Sequence, residues 1–117
     1  MKEYELQKAV CKYLELQQVL FCGSMGGQYQ MHMSQRIKAK KSGYKKGFPD
    51  LFIYEIAKIN DVIYHGLAIE LKTKTGRPSK EQKEWIRQLQ KRGYKASICK
   101  GIDETINEIN NYLKYKL

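Results

Sequence analysis

Residues 67–100 constrain the fold more than any other part of this chain. "LAIELKT" at 67–73 has strand character, "SKEQKEWIRQLQKRG" at 79–93 carries a helical period, and "YKASICK" at 94–100 returns to strand. A strand, a helix and a strand in that order close as a right-handed parallel crossover. The sheet so begun needs apolar cover, and the remaining elements supply it. Leu6, Val10, Tyr13 and Leu14 give residues 3–18 one apolar helical stripe. "VLFCG" is a short strand closed by Gly23, and "PDLFIYEI" is a second, with Pro49 tolerated at its start. "DVIYHGLAIELKT" reads as one further strand, joined to the second through a hairpin turn at "AKIND". Ser79 opens the crossover helix, whose buried stripe is Trp85, Ile86 and Leu89, and Gly93 ends it. Asp103 caps a last helix carrying Ile102, Ile106, Ile109 and Leu113. The expected fold is α/β, a small mixed sheet flanked by helices in the order α-β-β-β-α-β-α. It forms a single domain over residues 1–117 with no internal repeat.

Charge is distributed unevenly along this frame. The formal net charge is +10, large for 117 residues, and points to a polyanionic partner, nucleic acid before membrane. No acidic residue occurs from Leu16 to Pro49. Within that span "RIKAKKSGYKKG" gathers Arg36, Lys38, Lys40, Lys41, Lys45 and Lys46. Residues 24–47 show little period and read as a long loop or basic arm, a length more often functional than decorative. A second basic region runs from Lys72 to Lys100, where only Glu81 and Glu84 oppose ten Lys or Arg. Such fields track phosphates and make binding salt-sensitive.

Cys11, Cys22 and Cys99 are odd in number and hold no CxxC spacing, which argues against a disulfide framework or zinc site. Each reads as a small core hydrophobe in a reducing, cytoplasmic setting, that of a host cell if the source is viral. No apolar run approaches the roughly 18 residues of a membrane span, and the N-terminus lacks a signal-peptide core. No membrane partner and no small-molecule substrate is expected.

Glu70 and Lys72 interrupt the apolar strand two residues apart, so they point to one side of it. Asp50 opens the neighbouring strand, and pairing of the two strands permits it to approach Glu70. Two carboxylates at one sheet end form a hard oxygen site suited to Mg²⁺. A cation there relieves their repulsion and can lower the pKa of a bound water. A lysine beside it can orient the water and stabilise charge on a pentacovalent phosphorus. The plain alternative is structural, with Glu70 and Lys72 as the polar face of an edge strand and Asp50 as a turn residue.

The order "GFPDLFI" then "AIELKT" resembles the PD-(D/E)xK nuclease signature. The longer text "GFPDL … IELKTKTGRPSKEQKEWIRQLQKRGY" resembles the VRR-NUC (virus-type replication-repair nuclease) family in its stand-alone form, over nearly the whole chain. That resemblance implies a restriction-endonuclease-like core that hydrolyses phosphodiesters with Mg²⁺, or with Mn²⁺ in its place. It implies metal binding by Asp50 and Glu70, a further ligand from the Leu71 backbone carbonyl, and positioning of water by Lys72. Related nucleases carry a glutamate on the first helix that completes the metal site. Glu5 is the expected one; its plain alternative is a helix N-terminal acid stabilised by the macrodipole, a place for which Glu3 competes. Gln82 matches a family glutamine near the active site, yet "SKEQ" is also a capping box with Ser79 as N-cap. His32 and His65 are not needed by a metal-activated water. Tyr29 and Tyr44 in the arm are candidates for base stacking or for ordinary packing.

Stand-alone relatives resemble Holliday junction resolvases, homodimers whose two-fold symmetry matches that of a branched DNA. The expected function is therefore a Mg²⁺-dependent, structure-selective DNA endonuclease acting on four-way junctions as a homodimer. No element for base readout in a groove is identifiable. A non-catalytic basic DNA-binding module and a nuclease without junction preference remain as alternatives. A basic RNA-associated protein explains the charge but gives no reason for the ordered carboxylates.

Overall fold

The computed structural model describes residues 1–24 and 32–117. Its centre is the strand β5, Leu67–Lys72, in which all six residues are buried. The other elements, numbered in chain order, are α1 (Glu3–Leu16), β1 (Phe21–Gly23), α2 (Met33–Lys41), β2 (Leu51–Ile53), β3 (Ala57–Ile59), β4 (Val62–Tyr64), α3 (Lys80–Lys91), β6 (Lys95–Lys100) and α4 (Gly101–Lys114). The main sheet has the order β1-β2-β5-β6. β2 runs antiparallel to β5 with Leu51 opposite Ile69, and β6 runs parallel to it with Leu67 opposite Lys95. The crossover through α3 is thus the parallel unit expected from residues 67–100.

Strand alternation divides the core between two faces. Leu67, Ile69 and Leu71 join Leu51, Ile53 and Cys99 beneath Leu6, Val10 and Leu14 of α1 and Ile109 and Tyr112 of α4. Burial pushes the Cys99 thiol up to about 12, so it is an inert core group. Ala68 and Ala96 face the other way, against Ile86 and Leu89 of α3 and the ring of Phe52. Glu70 and Lys72 share the parity of Ala68, so β5 carries them on the α3 side of the sheet.

Several expectations are corrected here. The run 61–73 is two strands, because β4 belongs to a separate hairpin with β3. That hairpin turns at Asn60 and Asp61, whose φ values of 51° and 66° match the mirror-image turns that suit strand twist. "AKIND" is therefore half strand, and β2 pairs with β5 without a direct hairpin between them. Gly66 makes the transition: a Cβ there would lie 2.8 Å from the Phe52 ring and 2.9 Å from the Ile53 carbonyl oxygen. The basic arm contains a helix, α2, with no buried residue. Periodicity cannot reveal a helix that has no apolar face. It is held instead by lysines in its last turn, by the Ser42 hydroxyl donating to the Lys38 carbonyl at 2.8 Å, and by Gly43 at φ 98°. α4 starts at Gly101, and Asp103 sits in its first turn and does not cap it. Trp85 is half-buried outside the core clusters, and Cys22 is exposed. Among the described residues no helix is long and apolar enough to cross a membrane.

Gly66→Ala is expected to destabilise the fold by about 1–3 kcal/mol, since its nearest contacts include backbone and a packed ring. Chemical denaturation checks this, and an unchanged midpoint would show that the β4–β5 passage tolerates a side chain.

Candidate active site

The β2–β5 register, continued one residue beyond Leu51 and Ile69, sets Asp50 across from Glu70. Asp50 follows the buried Pro49 and is tied down through side chain and backbone. Its Oδ2 accepts the Leu71 amide at 2.7 Å, and its carbonyl accepts the Ser24 amide at 2.7 Å. The Gln7 side-chain amide, reaching from α1, donates to the Asp50 carbonyl at 3.3 Å and to that of Ser24 at 2.9 Å. Three elements therefore fix where this carboxylate stands.

Glu70 is 1% exposed. Its Oε2 lies 3.7 Å from the Lys72 ammonium, which also pairs with Glu3 at 3.8 Å from the first turn of α1. Carboxylate oxygens of Glu3, Asp50 and Glu70 all lie within 4.8 Å of one another. Burial, followed by the Asp50 charge, raises the Glu70 carboxyl well above its ordinary range. Burial likewise raises Asp50, against the opposing pull of its hydrogen bonds and of Lys72. A protonated Glu70 can share a hydrogen bond with Asp50, but once ionised its buried Oε1 has no partner among the described residues.

That orphaned oxygen is the test of whether a metal fits. An unpaired buried carboxylate is costly, and a cation bridging the group would neutralise it. The donors are all carboxylate oxygens, and few in number, which suits Mg²⁺ or Mn²⁺ better than a soft metal. Glu3, Asp50 and Glu70 are the residues that would hold the ion. Lys72, 7% exposed and clamped between Glu3 and Glu70, is held with its charge at the same point.

The structure does not bring every expected residue to this point. Glu5 is exposed and outside the carboxylate group, whereas Glu3 is within it. Glu3 and Gln7 are four residues apart and share one helix face, and Glu5 points away from that face. What Leu71 shows at the site is its amide, donated to Asp50. Gln82 forms the capping box: its Oε1 accepts the Ser79 amide at 2.8 Å while Ser79 Oγ accepts the Gln82 amide at 3.1 Å. Its side-chain oxygen is thereby committed to the helix start. His32 is exposed at the start of α2, and His65 lies edge-on to Tyr94 at 6.0 Å, neither in the carboxylate group. Arg36, Lys38, Lys40 and Lys41 are exposed on α2, and Lys45 and Lys46 on the loop that follows. Tyr29 lies outside the described residues. Gln7 was not singled out from the sequence, and its position one helical turn after Glu3 was the available signal.

A family model for the VRR-NUC domain matches residues 1–103. A solved structure described as a VRR_NUC domain protein is 32% identical, with a TM-score of 0.82, and the alignment covers 98% of this chain and 90% of that one. No curated protein matches.

The raised Glu70 carboxyl has a definite sign in stability. A folded state that holds its proton above the ordinary carboxylate range is stabilised by that proton below this range. The contribution is lost as pH rises through the raised value. Metal-free protein is therefore expected to lose thermal stability between mildly acidic and alkaline pH, and millimolar Mg²⁺ to restore it. Glu70→Gln should flatten the metal-free profile and remove the Mg²⁺ response together. Differential scanning calorimetry across pH, with and without Mg²⁺, checks both, and a Mg²⁺ response that survives in Glu70→Gln would place the ion elsewhere.

Proposed function

The chain belongs to the VRR-NUC nuclease family, and on that premise we propose that it is a divalent-metal-dependent, structure-selective DNA endonuclease acting as a homodimer on branched DNA. The observation that carries the reading is the convergence of Glu3, Asp50 and Glu70 within 4.8 Å, with buried Lys72 beside them. A Mg²⁺ ion held there supplies a water of lowered pKa and charge neutralisation at phosphorus. Asp50 and Glu70 are the principal ligands, with Glu3 in the place expected of Glu5 and the Leu71 carbonyl as a further donor from the same strand. Lys72 orients the attacking water and offsets the added negative charge, its ammonium held in place by two carboxylates. Gln82 serves the start of α3, and its remaining amide protons are what it can offer the substrate.

The exposed lysines of α2 and the loop after it supply the phosphate field. They stand on the segment that leads directly into Asp50, so DNA tracked along them is delivered to the carboxylates. A two-fold dimer would present two such sites to the two equivalent strands of a four-way junction.

Asp50→Ala is expected to abolish Mg²⁺-dependent cutting of four-way junctions while leaving junction binding in Ca²⁺ nearly intact. Gel assays with junctions and matched linear duplex check this. Equal cutting of both substrates would defeat structure selectivity, and no cutting of either would defeat the enzymatic reading. Replacing Lys40, Lys41, Lys45 and Lys46 by Gln should weaken binding and lower the salt slope by nearly one unit for each phosphate no longer neutralised. A slope equal to that of the parent protein would put the arm away from DNA.

A further inference from the structure

We propose that the cavity at the Lys72 end of β5 is a second DNA subsite, which takes one unpaired nucleotide beside the scissile phosphate and so favours branched over linear DNA. The inference rests on the nuclease reading above and deepens it, by giving structure selectivity a place in this chain.

The cavity holds about 460 Å³ and lies between the starts of α1 and α4 and the turn that follows β5. Met1, Leu6 and Ile102 give it an apolar side, and Thr73, Lys74 and Thr75 a polar one. It is far larger than an ion needs and falls within the range of about 300–1,000 Å³ usual for small-molecule sites, which combine apolar lining with a few polar groups.

The cavity adjoins the carboxylate group through two elements. On β5, Thr73 and Lys74 directly follow Lys72, so their Cα atoms lie within about 8 Å of that of the lysine. On α1, Leu6 stands three residues after Glu3 on the same helix face, and Glu3 reaches Lys72 at 3.8 Å. The turn itself folds back on the site. The Gly76 amide donates to the Thr73 carbonyl at 3.0 Å, and a Cβ on Gly76 would lie 3.1 Å from Thr73 Oγ1 and 3.5 Å from Lys72 Cδ.

The Lys74 stem lies against the start of α4. A Cβ on Gly101, at φ 81°, would meet its Cγ at 3.4 Å and its Cε at 3.5 Å, and the ammonium is one bond further. Among the described residues Lys74 forms no ion pair, and the hydroxyls of Thr73 and Thr75 make no hydrogen bond. Two nearby carboxylates are engaged elsewhere, Glu104 with the Lys100 amide and Glu3 with Lys72. Asp103, exposed in the first turn of α4, is the remaining acid there. One ammonium, two hydroxyls and an apolar wall complement a phosphate joined to a sugar and a base. Leu6 is 1% exposed, so the wall is reached only by a group that leaves the helical stack. Extrusion costs least for a nucleotide already unpaired, as at a branch.

The test is single-turnover cleavage of a four-way junction in which each nucleotide flanking the mapped cut is replaced in turn by an abasic residue. Wild type is expected to slow by about tenfold or more at one flanking position, where the apolar wall goes unfilled. Thr75→Trp, which fills the cavity from an exposed position, and Lys74→Gln should each cut the intact junction about tenfold or more slowly. In Thr75→Trp the abasic replacement should then have no further effect, because both changes remove the same contact. Mg²⁺ affinity by calorimetry and the thermal midpoint should match wild type, which separates the loss from damage to the carboxylate group. Should Trp lower the midpoint, Lys74→Gln, a change at an exposed side chain, decides the outcome. Wild-type rates in both variants, or an undiminished abasic effect in Thr75→Trp, would overturn the subsite and leave the nuclease reading standing. Indifference of the wild type to every abasic position would do the same. A wild-type protein that cuts no junction would instead remove the nuclease reading and this inference with it.

Discussion

Antiparallel pairing of Leu51 with Ile69 is the constraint on which the site depends. Side chains alternate along a strand, so a slip of one residue would carry Leu67, Ile69 and Leu71 out of the α1/α4 core and bury Glu70 and Lys72 in it. The apolar face therefore enforces the register, and the register in turn sets Asp50 opposite Glu70. The hydrogen bond from the Leu71 amide to Asp50 continues the ladder one step past β2 with a side chain in place of backbone. The geometry of the carboxylate group is a by-product of packing on the other face of the same strand.

Burial works against the carboxylates and in favour of their use. Glu70 is withdrawn from water as fully as the leucines beside it, and among the described residues only Lys72 pairs with it. This arrangement costs stability in the absence of a cation, and under the proposed function a divalent ion would offset the cost through the same atoms. Glu3 adds to the conflict, since its charge also raises Glu70, yet it pairs with Lys72 and stands close enough to Asp50 and Glu70 to share an ion.

α3 joins the sheet to the basic loop. Its Ile86 and Leu89 pack on the alanines of β5 and β6, and its Trp85 and Glu81 hold the loop that carries Tyr44, Lys45 and Lys46. The basic segment is thus anchored at its end nearest the carboxylates, while α2, with no buried residue, projects its lysines from the surface.

The sequence by itself determined the crossover, the core stripe of α1 and the cap of α3, which are local or periodic signals, each written in neighbouring residues. It permitted "PD" to meet "ELK", and the tertiary register fixed it. It left three things to the tertiary structure. The separate β3–β4 hairpin was hidden because Gly66 punctuates an otherwise continuous apolar run. α2 was hidden because a helix without an apolar face carries no period. The choice of Glu3 over Glu5, like the fastening of the basic loop, depended on which helix face meets the sheet end and where Trp85 pins that loop. Those are distances between residues roughly 40 to 70 positions apart in the chain, and no local pattern encodes them.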